Sequence, residues 1–152
     1  MKTVYLISCA KSQRKGGPWK ARELYISALF KKSLEYAELM TSDDNIFVLS
    51  TKHHLVHLDD MLKPYDQPPT NKKKEVMEWG KVVIGQMKER GLDLQNTKFV
   101  IMIRDSFCKV LTPHLPHHEL PLDGLRVGER LRKLDELILK QKEMCNNGQG
   151  QK

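Results

Sequence analysis

The sequence predicts an α/β sandwich built on a parallel sheet with helices on both of its faces. Short, predominantly apolar segments, which are typical of buried parallel strands, occur at 4–8, 46–49 and 99–103. Segments with helical spacing of apolar residues alternate with them, as in folds built from βαβ units. Right-handed crossover connections then place helices on the two faces of the sheet.

The first strand, 4–8, is expected to lead into a basic loop at 10–20 that contains glycine and proline. Apolar residues recur at helical spacing over 22–40, which predicts one long helix there. A polar break at 41–45 separates that helix from the second strand, 46–49.

A 21-residue connection is expected at 51–71, and compact domains rarely keep a loop of this length unless it has a functional role. A second helix is predicted over 72–90, with Gly91 as its stop signal. The third strand, 99–103, is followed by a short helix near 106–112.

The C-terminal part begins with a segment rich in histidine and proline, 114–121, which is expected to hold a brief fourth strand. The last helix is predicted over 127–142. The chain has 152 residues, a length that suits one domain. We therefore expect a single domain over 1–144 and a disordered tail over 145–152.

Composition favours a cytoplasmic protein with an anionic partner. Lysine and arginine number 26 against 19 acidic residues, a net charge of +7 that suits nucleic acid, nucleotide or phosphate. No apolar run approaches the roughly 20 residues of a membrane helix, and the N-terminal apolar stretch is too short for a signal peptide. Three widely separated cysteines fit a reducing compartment better than a disulfide scaffold.

Polar residues follow each predicted strand, where open parallel sheets bind their ligands. Hydroxyls and cations dominate these positions, and such groups hold phosphates and polarise carbonyls. They are Ser8, Cys9, Lys11, Ser12, Arg14 and Lys15 after the first strand, Ser50, Thr51, Lys52, His53 and His54 after the second, and Arg104, Asp105 and Ser106 after the third. The alternative is that these are ordinary solvated loops.

Individual residues at these positions suggest particular roles. His53 or His54, which follow the second strand, can supply a neutral imidazole that donates a hydrogen bond to a substrate carbonyl. Arg22, in a first helical turn, is opposed by the helix dipole, which favours a ligand or an ion pair. Cys9 is a candidate nucleophile if Lys11 lowers its pKa, although no partner base is identifiable. The histidine spacings match no compact metal site, so we expect no metal and no other cofactor.

The long connection contains Lys63-Pro64-Tyr65-Asp66. Pro64 stiffens the backbone, the ring of Tyr65 offers a surface for stacking on a base, and Asp66 supplies a carboxylate that can activate water. This combination suits the binding of a nucleobase. It is also a common turn sequence.

Five segments together carry a family resemblance. They are Ile-Ser-Cys-Ala-Lys at 7–11, Ala-Arg-Glu-Leu-Tyr at 21–25, the block at 49–56, Pro-Tyr-Asp at 64–66 and the block at 122–128. They resemble a domain family of bacteria and phages that is similar to the uracil-DNA glycosylase-like superfamily. The resemblance implies a three-layer α/β/α domain, a short four-stranded parallel sheet in the order 2-1-3-4, and a base-binding cleft that includes Tyr25.

The chain departs from this resemblance at two points. His54 stands where the family pattern has glycine, a residue that would permit a positive φ or the close approach of a ligand. The Gly-Gln-Asp-Pro-Tyr motif, which activates water in true uracil glycosylases, is missing after the first strand.

The expected function is an N-glycosidase-like hydrolase that acts on a nucleobase linkage in DNA or a nucleotide. This chemistry needs cations at the phosphates, an aromatic ring against the base, a donor to a base carbonyl and a carboxylate beside the sugar. Lys11, Arg14 and Arg22 are expected at the phosphates, and Tyr65 is expected against the base. His53 is expected as the donor to the base carbonyl, and Asp66 or Asp105 as the carboxylate beside the sugar. The alternatives are a non-enzymatic binder that sequesters a nucleotide or nucleic acid, and a phage-type inhibitor of an acidic protein.

Overall fold

The computed structural model describes residues 1–150 and confirms the α/β class. The main sheet of this region has five strands, which are β1 (Lys2–Ser8), β3 (Ile46–Ser50), β4 (His54–His57), β6 (Thr97–Met102) and β7 (His118–Glu119). Across the sheet they lie in the order β4-β3-β1-β6-β7. Two short strands, β2 (Trp19–Lys20) and β5 (Met61–Leu62), pair antiparallel as a separate small sheet.

The prediction of a four-stranded, wholly parallel sheet was wrong. β1 pairs in parallel with β3 and β6, and β6 with β7, but β4 runs antiparallel to β3 at one edge. β4 lies inside the segment 51–71 that was expected to be a loop, because a tight turn after Ser50 folds the chain back onto β3. Antiparallel edge strands on mostly parallel sheets are common.

The helices of the described region are α1 (Ala21–Leu24), α2 (Ala28–Met40), α3 (Lys73–Glu89), α4 (Asp105–Leu111) and α5 (Val127–Gly150). The long helix expected over 22–40 is divided into two. The backbone at Tyr25 is extended and bridges to Gln13 in the basic loop. Ser27 then caps α2 by accepting a hydrogen bond from the Phe30 N–H at 3.1 Å.

α5 continues through 145–150, past the predicted end at 142 and into the segment expected to be disordered. Residues 151–152 of that predicted tail lie outside the described residues.

Helices pack on both faces of the sheet, as predicted. Alternate residues of β1 point to opposite faces, so that Val4 and Leu6 belong to a core formed with α3 and α4. Tyr5 and Ile7 belong to a second core, formed with α2 and α5. The chain leaving β1 therefore turns to one face and the chain leaving β6 turns to the other.

The long loop after β5 is fixed over the carboxyl end of the sheet. Its Tyr65 N–H donates to the Gln13 side-chain oxygen at 2.9 Å, and Thr51 Oγ1 donates to the Gln67 carbonyl at 2.6 Å. These contacts hold residues 65–67 beside the ends of β1 and β3. No helix in residues 1–150 is both long enough and apolar enough to cross a membrane.

His54 adopts a left-handed backbone conformation, with φ +65°. Because a Cβ atom destabilises this conformation, we expect His54→Gly to raise the free energy of unfolding by about 0.5–1 kcal/mol. His53→Gly is the matched control and should lower the free energy of unfolding, since the backbone of His53 has no positive φ. Urea unfolding of both variants measures the difference. A loss of stability in His54→Gly would show that the imidazole contributes more to the free energy of unfolding than the strained backbone costs.

Candidate functional site

A cavity of about 240 Å³ lies at the carboxyl ends of β1, β3 and β6, and we call it the polar cavity. β1 and β6 are neighbouring strands, and the chain turns to opposite faces of the sheet after them. Open α/β sheets form ligand crevices between two strands of this kind. The polar lining of the cavity consists of Ser8, Cys9, Lys11, Gln13, Thr51, Asp66, Gln67 and Arg104. Its aromatic lining consists of Tyr65, Trp79 and Phe107.

Trp79 and Phe107 form an aromatic wall of the polar cavity. Their ring centroids lie 4.8 Å apart, with Trp79 on α3 and Phe107 on α4. The Trp79 indole N–H donates to the Ser50 carbonyl at 2.9 Å, which fixes the ring against the end of β3. Trp79 and Phe107 are each 7% exposed, so the wall is largely desolvated.

The two candidate carboxylates have different surroundings. Asp66 is exposed at the edge of the polar cavity, and its carboxylate has no ion-pair or hydrogen-bond partner among the residues described. Asp105 does not line this cavity. Its carboxylate pairs with Arg130 at 2.7 Å and accepts from the Gly124 N–H at 3.0 Å. Asp66 is therefore free to act on a ligand, whereas Asp105 holds the start of α4 to α5.

Tyr65 is anchored through its hydroxyl. That oxygen lies 2.6 Å from the hydroxyl of Tyr25 and 2.7 Å from Ser50 Oγ. Burial raises the pKa of Tyr65 to about 12 and also raises the pKa of the more deeply buried Tyr25. Both phenols are protonated at neutral pH, so they form a neutral network that holds the backbone next to Asp66.

The ring of Tyr65 already has neighbours. The ring of His53 meets it edge to face at a centroid distance of 5.2 Å, and the Lys52 ammonium lies 5.9 Å from its centroid. The structure thus gives Tyr65 an anchoring role, while stacking on a base stays a prediction. The structure brings Tyr25, Ser50, Lys52, His53 and Tyr65 together beside the polar cavity, and of these only Tyr65 lines it.

The predicted phosphate-binding cations separate into two groups. Lys11 lines the polar cavity and has no acidic partner within the described part of the chain. Arg22 lies outside it and contacts three carboxylates, Asp43 at 2.8 Å, Asp59 at 3.2 Å and Glu38 at 3.6 Å. Arg22 therefore belongs to a network of ion pairs, and its contact with a ligand phosphate stays a prediction.

Arg14 is also outside the polar cavity. Its guanidinium lies over the ring of Trp19 at 5.3 Å, and its Nε–H donates to the Glu23 carbonyl at 3.2 Å. It therefore stabilises the basic loop against the start of α1.

Cys9 and Ser8 lie at the end of β1, inside the polar cavity. Burial raises the pKa of the Cys9 thiol, which is opposite to the lowering expected from Lys11. Ser8 Oγ donates to the Cys9 carbonyl at 3.0 Å. Cys9 is thus a neutral thiol at neutral pH, and such a group is a poor nucleophile.

We expect stability to fall as the pH drops from about 7.5 to 5.5. Burial lowers the pKa of His53 and His54 below the ordinary 6.5, with a further lowering from Lys52 at His53 and from His53 at His54. Below pH 6.5 the unfolded chain therefore binds more protons than the folded protein, and the folded state loses stability until its own histidines titrate. Urea unfolding at the two pH values measures this loss. The double variant His53→Gln/His54→Gln should lose less stability, and an unchanged pH dependence would contradict the assignment.

Several residues that line the polar cavity have no signal in the sequence that marks them as site residues. Trp79 lies in the apolar stripe of α3 with Val76 and Val83, so its spacing indicates only a core position. Phe107 belongs to the short helix α4, and no pattern distinguishes it from other core residues. Gln67 directly follows Tyr65 and Asp66 in the chain, and that closeness is the one signal in the sequence that points to it.

Within residues 1–150, no group of three or more histidine, cysteine, aspartate or glutamate side chains is placed to hold a metal ion. No curated protein and no solved structure matches the chain. These comparisons do not link it to uracil-DNA glycosylases or to phages. A family model matches residues 4–136, nearly the whole of the domain described above. The chain belongs to that family, which is described as a family of unknown function (DUF6884).

Proposed function

We propose that the protein is an N-glycosidase-like enzyme that hydrolyses a nucleobase linkage in a nucleic acid or nucleotide, with the base held in the polar cavity. The observation that carries the proposal is the free carboxylate of Asp66 at the edge of a small cavity with an aromatic wall.

The cavity offers what base recognition needs. The aromatic wall of Trp79 and Phe107 provides an apolar surface for a planar base, as in enzymes that take bases out of the stack. The cations Lys11 and Arg104 line the same cavity and suit a phosphate on the sugar of that base. Neither side chain is engaged by an acidic residue of the described region.

The reaction breaks the bond between the sugar C1′ and the base nitrogen, and the bonding electron pair leaves with the base. Positive charge develops on the sugar, and the Asp66 carboxylate stabilises that charge and orients the attacking water. The water oxygen bonds to C1′, and the proton it loses passes by way of Asp66 to the departing base. The products are the free base and a sugar with a hydroxyl at C1′.

The test combines a base-release assay with a binding assay. The protein is incubated with single-stranded DNA, duplex DNA, RNA and free nucleotides, and released base is identified by chromatography and mass spectrometry. We expect release from at least one of these substrates. Binding without release would instead support a protein that sequesters its ligand, and the absence of both would contradict the proposal.

Salt dependence tests the phosphate contacts separately. Between about 50 and 200 mM salt, the affinity for a nucleic-acid strand should fall, because the cations release condensed counterions. Lys11→Ala should weaken binding and reduce the slope of log affinity against log salt by about one. Lys15→Ala is the matched control, since Lys15 is exposed in the same loop but does not line the polar cavity. Equal slopes for all three proteins would exclude Lys11 from phosphate binding.

A further inference from the structure

An apolar groove of about 630 Å³ lies beside the polar cavity. It is bounded by α2, the end of β6 and the start of α5, on the opposite face of the sheet from α3 and α4. Leu29 and Leu125 contribute half-buried apolar side chains to its wall, and the buried Phe30 and Leu122 also line it. None of these residues has a role in the proposed base cleavage.

The groove and the polar cavity share a boundary formed by the exits of β1 and β6. Residues 8–11 and 103–104 line both spaces. Lys11 and Arg104, the two exposed cations of this boundary, thus stand between an aromatic cavity and an apolar groove. A single bound molecule can pass over them from one space into the other.

The charges of the groove favour an anionic ligand. Arg126 is exposed at its edge, and its guanidinium has no partner among the residues that the structure describes. Asp105 is the one carboxylate lining the described groove, and Arg130 and the Gly124 N–H already occupy it. The groove therefore combines an apolar wall with uncompensated positive charge.

We infer that the site binds two consecutive nucleotides of a single strand, an inference that rests on the proposed function. The first base enters the polar cavity, and the phosphate that links the two nucleotides lies on Lys11 and Arg104. The second base packs on the apolar wall at Leu29 and Leu125, and the phosphate beyond it faces Arg126. The substrate is accordingly a strand of nucleic acid rather than a free nucleotide.

The experiment compares 5′-phosphorylated mononucleotides and dinucleotides of the same base, in deoxy and ribo forms, by titration calorimetry. The dinucleotide should bind about tenfold to a hundredfold more tightly, because the second base buries apolar surface against Leu29 and Leu125 and the phosphate beyond it meets Arg126. Leu125→Trp, which fills the groove, should abolish this advantage and leave mononucleotide affinity unchanged. Arg126→Ala, at an exposed position that does not risk the fold, should reduce the advantage several-fold.

Arg132→Ala is the matched control, an exposed arginine of α5 that does not line the groove, and it should behave like the parent. Equal affinity for mononucleotide and dinucleotide, with no effect of Leu125→Trp or Arg126→Ala, would overturn the two-nucleotide site and leave the proposed function intact. If neither probe binds, the two-nucleotide site is overturned, and the base-release assay with DNA and RNA strands decides the proposed function separately. A preference confined to the deoxy or the ribo form would support the inference and identify the strand as DNA or RNA.

Discussion

Replacing Asp66 with asparagine is expected to lower the turnover of base release by about a hundredfold or more, with ligand affinity unchanged. The substitution keeps the size of the side chain and removes the charge that stabilises the cationic sugar and orients water. Stability should be unaffected, because the Asp66 carboxylate makes no ion pair or hydrogen bond within the described part of the molecule. Single-turnover kinetics and calorimetric titration separate the two effects.

Asp123→Asn is the matched control for this variant. Asp123 is exposed, lines neither the polar cavity nor the apolar groove, and should retain full turnover. If Asp66→Asn turned over substrate at the rate of the parent, the carboxylate beside the sugar would have to come from another residue. Tighter binding in Asp66→Asn, with no base release by either protein, would support sequestration of the ligand.

The largest effect on stability is expected at Arg130, which is 8% exposed. Its guanidinium donates to the Leu125 carbonyl at 2.9 Å, to the Ile103 carbonyl at 3.0 Å and to Asp105 at 2.7 Å. Arg130→Met keeps an apolar stem but leaves these acceptors without their donor, so the free energy of unfolding should fall by about 3 kcal/mol. Urea unfolding at neutral pH measures the change.

Lys142→Met provides the comparison for Arg130→Met. Lys142 pairs with Glu35 at 3.0 Å, but both side chains are about half exposed, and such pairs contribute about 0–1 kcal/mol. The two variants therefore remove one cation each from α5 with very different expected results. A loss at Arg130 no greater than that at Lys142 would show that Asp105 is not held by a structurally important pair.

The positions of most elements could be predicted from the sequence because periodicity reports directly which face of a segment is buried. Apolar spacing predicts a helix over 72–90, and the structure has α3 at Lys73–Glu89. Runs of apolar residues likewise locate β1, β3 and β6. The polar residues at the ends of these strands follow from the same pattern, since parallel strands end at one edge of a sheet.

Local patterns could not predict how the chain pairs with distant segments. β4 was missed because His54–His57 becomes a strand only when the turn after Ser50 folds it onto β3. The helix expected over 22–40 is interrupted at Tyr25 because that residue bridges to Gln13 instead of continuing the helix. In both places a contact between segments replaces the structure that local spacing favours.

The α/β class, the order of most elements and the strand ends at which polar side chains gather all follow from the amino-acid sequence alone. Which of the charged groups at these strand ends are free depends on the folded arrangement of the chain. Arg22 meets Asp59 across 37 residues of chain and Asp105 meets Arg130 across 25, whereas Asp66 and Lys11 meet no partner in the described residues. Ion pairing depends on which side chains the fold brings within a few ångströms of one another, and neither the identity of a residue nor its spacing along the chain contains that information.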